Sequence, residues 1–554
     1  MMKYLGPILV LCILSSGSNA YAQTPCPTTA FNGKLACVIP DLYGSGGFSA
    51  AGVFGNTNHE GHYDVGIDKT FSPLNSDISR QVSLLPIATP GSGFSLIFDP
   101  SLKTFVTTTD SLGPILGDRA ETIGRHRVAI GVNYQHFDFD KIDGVNLSNF
   151  PAVFTHADDN SGDDKNSSAN VICSSVLPNS SNNITPDQSL FSHDTSTNND
   201  TDCAWVRDRI DTSNQIHIKV HLITSQITFG LTKNIDVSVV VPYEIIRFSV
   251  VSNAHISLGS NRVEHYFNFQ NTDPAIGCNI SNGPQDGQAL NSGCFNHQFL
   301  GPGSGQGTSS ASGIGDLTVR LKSTIWRGER AGFAAGLDVR FPTGDSLNFL
   351  GSGTYGVKPF VIASYRARVA PHALVGFQAN GSSVTSGDLS TGVKGQLPNE
   401  LVYNAGADAY ATKWLSGAFD IVGERVFNAP TLAVTSIPYL GACYANPHSG
   451  SSPNPYNQPS SYQSLNSPPT TCLVTVSGQG FAGATYSGPT PPIPLVQDST
   501  INATNASYNI TNASAGVRIA LIHRLVLTLN VLVRLDNGGL HSKLSPMGGL
   551  GYTF

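Results

Sequence analysis

Charge is scarce in this chain. Only 12% of its 554 residues are Asp, Glu, Lys or Arg, and 31 basic residues face 38 acidic ones. A nucleic-acid binder carries a basic patch or stripe, so that class is excluded. Beyond the first two dozen positions there is no uninterrupted apolar run of roughly 18 residues, which excludes a membrane helix. Familiar catalytic spacings are missing as well: there is no G-x-S-x-G elbow and no HExxH. No cysteine pair has CxxC metal-ligand spacing. Gly351-Ser-Gly353-Thr-Tyr-Gly356 has the GxGxxG spacing but no helical pattern after it, so it is not a dinucleotide loop. Core material is not lacking, since 40% of the residues are hydrophobic, and a disordered chain is excluded.

What is present is alternation. Between Gly313 and Asp345, Leu317, Val319 and Leu321 alternate with Thr318, Arg320 and Lys322. After the polar turn Arg327–Arg330, Phe333, Ala335, Leu337, Val339 and Phe341 alternate with residues that include Asp338 and Arg340. Successive strand side chains point to opposite faces, so each arm has one apolar and one polar face. The pattern recurs at 126–135, 216–222, 237–244, 357–366, 373–380, 401–410, 415–427, 515–522, 525–534 and 547–554. That predicts about twelve strands, with fourteen as the alternative count.

Their connections alternate between short and long. Short ones are expected near 231–234, 327–330, 369–371, 413–414 and 523–524, and long ones near 141–213, 253–312, 345–356, 383–399, 429–513 and 536–546. An even number of antiparallel strands, with short turns on one rim and long loops on the other, is the pattern of a bacterial outer-membrane barrel. In lipid only a closed barrel satisfies the backbone groups of every strand, so the apolar faces should look outward and the polar faces inward. The expected fold class is all-β: a transmembrane antiparallel up-and-down β-barrel with an irregular N-terminal plug or cap.

Both ends of the sequence fit export to that membrane. Lys3, the apolar run Leu5–Leu14 and the small-x-small site Ala20-Tyr21-Ala22 read as a signal peptide over residues 1–22. Pro25 before Cys26 argues against a lipid anchor. Residues 23–125 are too irregular for membrane strands, apart from a small hairpin at Phe94–Phe98 and Thr104–Thr108, and read as a periplasmic cap or lumen plug. Residues 126–554 form the barrel. Met547, Gly549, Tyr552 and the final Phe554 resemble the C-terminal strand signal read by the barrel-assembly machinery of Gram-negative bacteria. The expected surroundings are outer-membrane lipid and that machinery, with no nucleic acid.

Two segments carry a family resemblance. Ser111–Gly144, SLGPILGDRAETIGRHRVAIGVNYQHFDFDKIDG, leads an AETIG-R element into the first strand. Gly313–Leu317 (GIGDL) and Phe341–Asp345 (FPTGD) bracket a hairpin. Together they resemble the outer-membrane barrels grouped as the "MetA-pathway of phenol degradation" family, over most of Ser111–Phe554. The resemblance implies an outer-membrane channel for small, aromatic or hydrophobic compounds and supplies no catalytic residues. The expectation is therefore a transport protein in the bacterial outer membrane, not an enzyme, with no cofactor and no metal. The alternative is a surface-binding or structural barrel that acts through its long loops.

The expected lumen face carries both signs: His217, Lys219, His221, Arg320, Lys322, Arg340, Lys358, Arg366, Arg518 and Arg534 against Asp236, Glu244, Asp316, Asp338, Asp408, Asp420 and Glu424. Mixed signs favour cross-strand ion pairs that brace the interior over strong selection by charge. His217 and His221 lie about 13 Å apart by strand rise and cannot chelate one metal by themselves. Asp138, Asp140 and Asp143, with Asp158, Asp159, Asp163 and Asp164 nearby, invite a calcium loop. The spacing fails the EF-hand pattern, which wants oxygen where Ile142 stands and Gly where Asp143 stands.

Setting aside Cys12 of the signal, eight cysteines fall as four close pairs, three of them inside three different long loops. In an exported chain an even number suggests disulfides. Nearest-neighbour pairing gives Cys26–Cys37, Cys173–Cys203, Cys278–Cys294 and Cys443–Cys472. Closing a loop of ~15 residues stabilises by about 3 kcal/mol in the chain-entropy treatment. Non-reducing peptide mapping should recover these four pairs, and a bridge joining different long loops would overturn the assignment.

Overall fold

The computed structural model describes residues 112–155, 209–257, 308–389, 392–412, 414–440, 495–522 and 525–554. It also describes the shorter pieces 26, 33–40, 42, 50–51, 64–83, 85, 96–99, 104–107, 266–267, 296–301, 443–444 and 471–472. Twelve strands make the wall: β1 (Val128–Phe139), β2 (Arg209–Gly230), β3 (Ile235–Ser257), β4 (Leu317–Arg327), β5 (Ala331–Phe341), β6 (Gly356–Tyr365), β7 (Val369–Asn380), β8 (Glu400–Thr412), β9 (Leu415–Leu440), β10 (Leu495–Ile522), β11 (Leu525–Arg534) and β12 (Leu544–Thr553). Each pairs antiparallel with its sequence neighbours, and β12 closes on β1 from Met547↔Gln135 to Thr553↔Ala129. No open edge remains in the ring, as lipid demands.

Side-chain parity follows the alternation. Among the outward-facing residues, Ile130, Val132, Ile227, Phe333, Leu529 and Leu550 are exposed, while the inward Asn133, Thr228, Asp338, Thr528 and Asn530 are buried. An apolar exterior over a polar interior is stable only with lipid outside. The short connections lie at 231–234, 328–330, 366–368, 413–414 and 523–524, so the third falls three residues before its expected place.

The long connections differ more. β2 and β3 are 22 and 23 residues long, and β9 and β10 are 26 and 28. A tilted strand crosses a bilayer in about 9–11 residues, so these four rise well past the membrane and use chain expected as loop. Above the membrane the two faces exchange surroundings. The inward Ile216, Ile218, Val220 and Leu222 of β2 are buried with Phe137, Phe139, Phe248 and Val250, and water takes the place of lipid outside.

That exchange corrects three expected lumen residues. His217, Lys219 and His221 stand on the outer face of β2, on the same side as Ile227 and Phe229. The alternation was right, but apolar residues here mark a dry core inside the wall, not lipid outside it.

The N-terminal part is helical where no helix was expected. In α1 (Asp64–Ser83), Leu74, Ile78 and Val82 recur every fourth residue, form one stripe and are fully buried. They pack in the upper core with Leu35, Ile39 and Phe349. The expected small hairpin pairs Leu96–Asp99 with Thr104–Thr107.

Cys26 and Cys37 are joined in a disulfide. Cys443 stands opposite Cys472 in a two-stranded ladder. Cys173, Cys203, Cys278 and Cys294 lie outside the described residues.

Leu529 sits mid-strand on the lipid side and is 47% exposed, whereas the adjacent Asn530 is buried. Leu529→Arg should therefore destabilise the barrel by about 2–4 kcal/mol. Urea unfolding in lipid vesicles, followed by tryptophan fluorescence, measures it. A cost near zero would contradict the assigned facing.

Candidate functional site: a lumen closed at both ends

Residues 112–123 cross the lumen at the short-turn end, bonded to the wall nearly all the way round. The Leu112 amide donates to Ser416 Oγ at 2.9 Å, and its carbonyl accepts from Arg518 at 2.9 Å. Gly117 lies so close to His372 that a Cβ there would run into the ring. Asp118 accepts from Arg320 at 3.3 Å and from Lys322 at 3.0 Å. Arg119 pairs with Asp408. The Ala120 amide donates to Ser364 at 3.1 Å while its carbonyl accepts from Thr324 at 2.5 Å. Glu121 faces Arg366 at 3.5 Å, and the Ile123 amide donates to Asp236 at 2.9 Å. The segment leaves past Gly230, where a Cβ would strike the Gly124 carbonyl.

The physical demand behind this arrangement is pairing. A buried charge is tolerated only with a partner, and here the segment and the wall supply opposite signs to each other. His372 adds to the same layer, with Nε2 at 2.6 Å from Asp420 and Nδ1 at 3.7 Å from Asp408.

A second closure fills the long-loop end. Lys34 pairs with Asp345 at 2.7 Å, and the Leu35 amide donates to Asn348 at 3.2 Å. Asn75 of α1 donates to the Ala36 carbonyl at 2.7 Å, holding the two N-terminal pieces together. Arg80 bonds Asp77 at 3.0 Å, Glu400 on the wall at 3.4 Å, and Tyr508. Gln81 accepts from the Leu540 amide. The glycine-rich motifs anchor this rim: Asp316 of GIGDL accepts from the Gly344 amide of FPTGD at 3.2 Å, and from the Ser352 amide and hydroxyl at 2.8 and 2.5 Å.

Between the closures lies a cavity of about 270 Å³. Phe137, Phe139, Leu222 and Val240 line it from β1–β3, and Arg340, Lys358, Glu400 and Glu424 from β5, β6, β8 and β9. The lining thus combines apolar side chains with groups of both charges. Glu244, Asp316, Arg320, Asp338 and Arg534 also line it. Lys322, Arg366, Asp408, Arg518 and Asp236 instead contact the crossing segment, and Asp420 meets His372.

Asp118, Arg119, Glu121, His372, Glu400, Asp77 and Arg80 were not among the expected site residues. One signal for the first three was available. Asp118-Arg119-Ala120-Glu121 sets three charges in four residues of a sparsely charged chain, between Gly117 and Gly124.

Among the described residues, the carboxylates of Asp138, Asp140 and Asp143 do not converge, and Asp158, Asp159, Asp163 and Asp164 lie outside the described residues. Asp138 pairs with Lys219 at 3.0 Å and Asp140 with His541 at 2.6 Å. Asp143 accepts from the amides of Gly539 at 2.6 Å and Leu432 at 2.8 Å. At the C-terminus, Tyr552 and Phe554 are exposed, with ring centroids 4.7 Å apart, and Gly549 packs against Asn133.

Asp143 lies in a turn above the membrane. Burial, reinforced by the nearby Asp77 carboxylate, pushes its carboxyl up to about 6. The folded form thus binds a proton more readily than the unfolded chain, whose carboxylate titrates near 3.9. Its stabilisation is fully present below that unfolded value and is lost as pH rises through about 6. Protease protection of α1, which carries Asp77, should accordingly weaken between pH 4 and 7, and Asp143→Asn should flatten that slope. An unchanged slope in the variant would assign the effect to another group.

Residues 211–413 match the sequence profile of the family described as "Putative MetA-pathway of phenol degradation". No curated protein matches the sequence. Among solved structures, an outer membrane channel from Pseudomonas putida F1 aligns at 10% identity and a TM-score of 0.37, covering 78% of this chain and 98% of its own. A FadL homologue from Pseudomonas aeruginosa aligns at 10% identity and a TM-score of 0.24, covering 84% and 97%. The CymD monoaromatic hydrocarbon channel aligns at 7% identity and a TM-score of 0.23, covering 78% and 88%. Over residues 211–413, this twelve-stranded barrel is thus similar to the family described as "Putative MetA-pathway of phenol degradation".

Proposed function

We propose that the protein is a bacterial outer-membrane channel that admits small aromatic or otherwise apolar solutes by diffusion, with its own N-terminal segment as the gate. The observation that carries this reading is the cavity of about 270 Å³ held inside the wall between two closures. A barrel serving only as a scaffold could fill its lumen with side chains. This one keeps a chamber lined in part by the apolar Phe137, Phe139, Leu222 and Val240. The exposed apolar belt supports the membrane location, and the exposed Tyr552 and Phe554 suit presentation to the barrel-assembly machinery. The reading needs no chemistry on the solute.

The double closure also favours a second reading, in which the lumen stays shut and the tall hairpins β2–β3 and β9–β10 bind a partner. The ion pairs of residues 118–121 separate the two. Asp408→Asn leaves Arg119 without its carboxylate, and breaking such a buried pair costs about 3–5 kcal/mol. The open population should then rise about 100-fold or more. Conductance in planar bilayers, and liposome swelling with a monoaromatic solute against a sugar of similar size, should both increase. An assembled variant with unchanged conductance would refute the gate and favour the hairpin-centred reading.

A further inference from the structure

The outer face of β1–β3 changes character in adjacent rows. Cross-strand pairing sets Tyr134, Ile223 and Tyr243 in one row, His136, His221 and Ile245 in the next, and Asp138, Lys219 and Arg247 in the third. From Leu231 at the short turn to His221 is ten residue steps along β2. That is about 33 Å of strand, or about 25 Å of height at a tilt near 40°, the height of the apolar band of such barrels. Tyr134 and Tyr243, 44% and 41% exposed, therefore sit just under the upper edge of the hydrocarbon. The imidazoles and cations stand at headgroup level.

The polar groups are poised to donate. His136 and His221 stack at 4.6 Å between centroids. Tyr134 Oη lies 2.7 Å from His221 Nδ1, and when the hydroxyl donates to Nδ1 the ring's own proton is on Nε2, which is then its free donor. Lys219, 47% exposed, is shared with Asp138 at 3.0 Å. Arg247 is exposed and, among the described residues, forms no ion pair. Its planar fork suits two phosphate oxygens at once.

We propose that this patch binds the phosphate of an anionic lipid headgroup in the leaflet on the long-loop side. Arg247 is the main anchor, with Lys219 and the His136–His221 pair as further donors. Charge complementarity and continuity with the apolar belt specify a membrane lipid: a headgroup bound here keeps its acyl chains against Ile223, Ile227 and Phe229. The proposal rests on the membrane location proposed above. It adds a fixed lipid site on the wall, apart from the solute path.

The test uses the full mature protein in nanodiscs of zwitterionic lipid doped with phosphatidylglycerol or with a bis-phosphorylated glycolipid. The readout is lipid retained, by native mass spectrometry, after assembly is verified by heat-modifiable migration. Each cation near an anionic surface contributes a comparable increment, so Lys219→Ala/Arg247→Ala together should weaken retention about 30-fold. The charge-matched control Arg327→Ala/Arg330→Ala, at the short-turn rim, should retain lipid as the wild type does. Equal retention by both double variants overturns the proposal, as does equal loss. Displacement by millimolar inorganic phosphate would show a free-anion site in place of a lipid site, and also overturns it. A protein that stays out of nanodiscs defeats the membrane reading and this proposal together. One that enters them but holds anionic lipid no better than the double variant defeats this proposal alone.

Discussion

A β-strand keeps its two faces for its whole length, while the surroundings of those faces can change along it. This constraint shapes the whole molecule. In the lower wall the outside is lipid and the inside polar; in the upper wall the outside is water and the inside a dry core. β2 serves both with one unbroken alternation: Thr224, Gln226 and Thr228 face inward below, and Ile216, Ile218 and Val220 face inward above. A barrel that only crossed the bilayer would not need the upper set. Here that set holds the N-terminal pieces, and α1 fits because Leu74, Ile78 and Val82 offer it a matching stripe.

The same constraint separates what was legible in the sequence from what was not. Strand number, order and the short-long rhythm of connections depend on local alternation and turn residues, and these were readable. The facing of His217, Lys219 and His221 depends on whether lipid or water lies outside, and alternation is identical in either case. Fourteen of the seventeen expected lumen residues point inward because they lie in, or border, the membrane-crossing part, where the assumption of lipid outside holds. Helix α1 was illegible for another reason. It contains Pro73 and is rich in Asn, Asp and Ser, so propensity argues against it. The core that stabilises it is supplied by strands more than fifty residues away, and tertiary packing overrides propensity there.

Charge shows the same dependence on distant partners. Asp118, Arg119 and Glu121 look like a solvated turn when read alone. In the fold they meet Arg320, Lys322, Asp408 and Arg366, none closer than two hundred residues in sequence. Mixed signs on the wall imply cross-strand bracing, and Arg320 with Asp338 at 2.7 Å does brace neighbouring strands. Yet several wall charges are shared with the crossing segment. The wall is therefore not neutral in itself, and removing the segment would strand charges such as Lys322, which is 5% exposed and, among the described residues, bonded to Asp118 and the Arg119 carbonyl.

That sharing bears on how the lumen can open. One continuous stretch of chain supplies both closures, but the two are held by different physics. At the long-loop end α1 and residues 35–40 and 42 are seated in an apolar core and joined by the Asn75–Ala36 hydrogen bond, so releasing them means exposing Leu35, Ile39, Leu74 and Ile78 to water. At the short-turn end residues 112–123 bury a smaller apolar set, Leu112, Ile115, Ala120 and Ile123, and are otherwise held by ion pairs and hydrogen bonds, each of which water can replace. Exposed apolar surface costs free energy without compensation, whereas hydrated ions recover most of what they lose on leaving their partners. Opening is therefore easier at the short-turn mouth. Among the described residues, reaching the cavity from the long-loop side means parting that apolar packing.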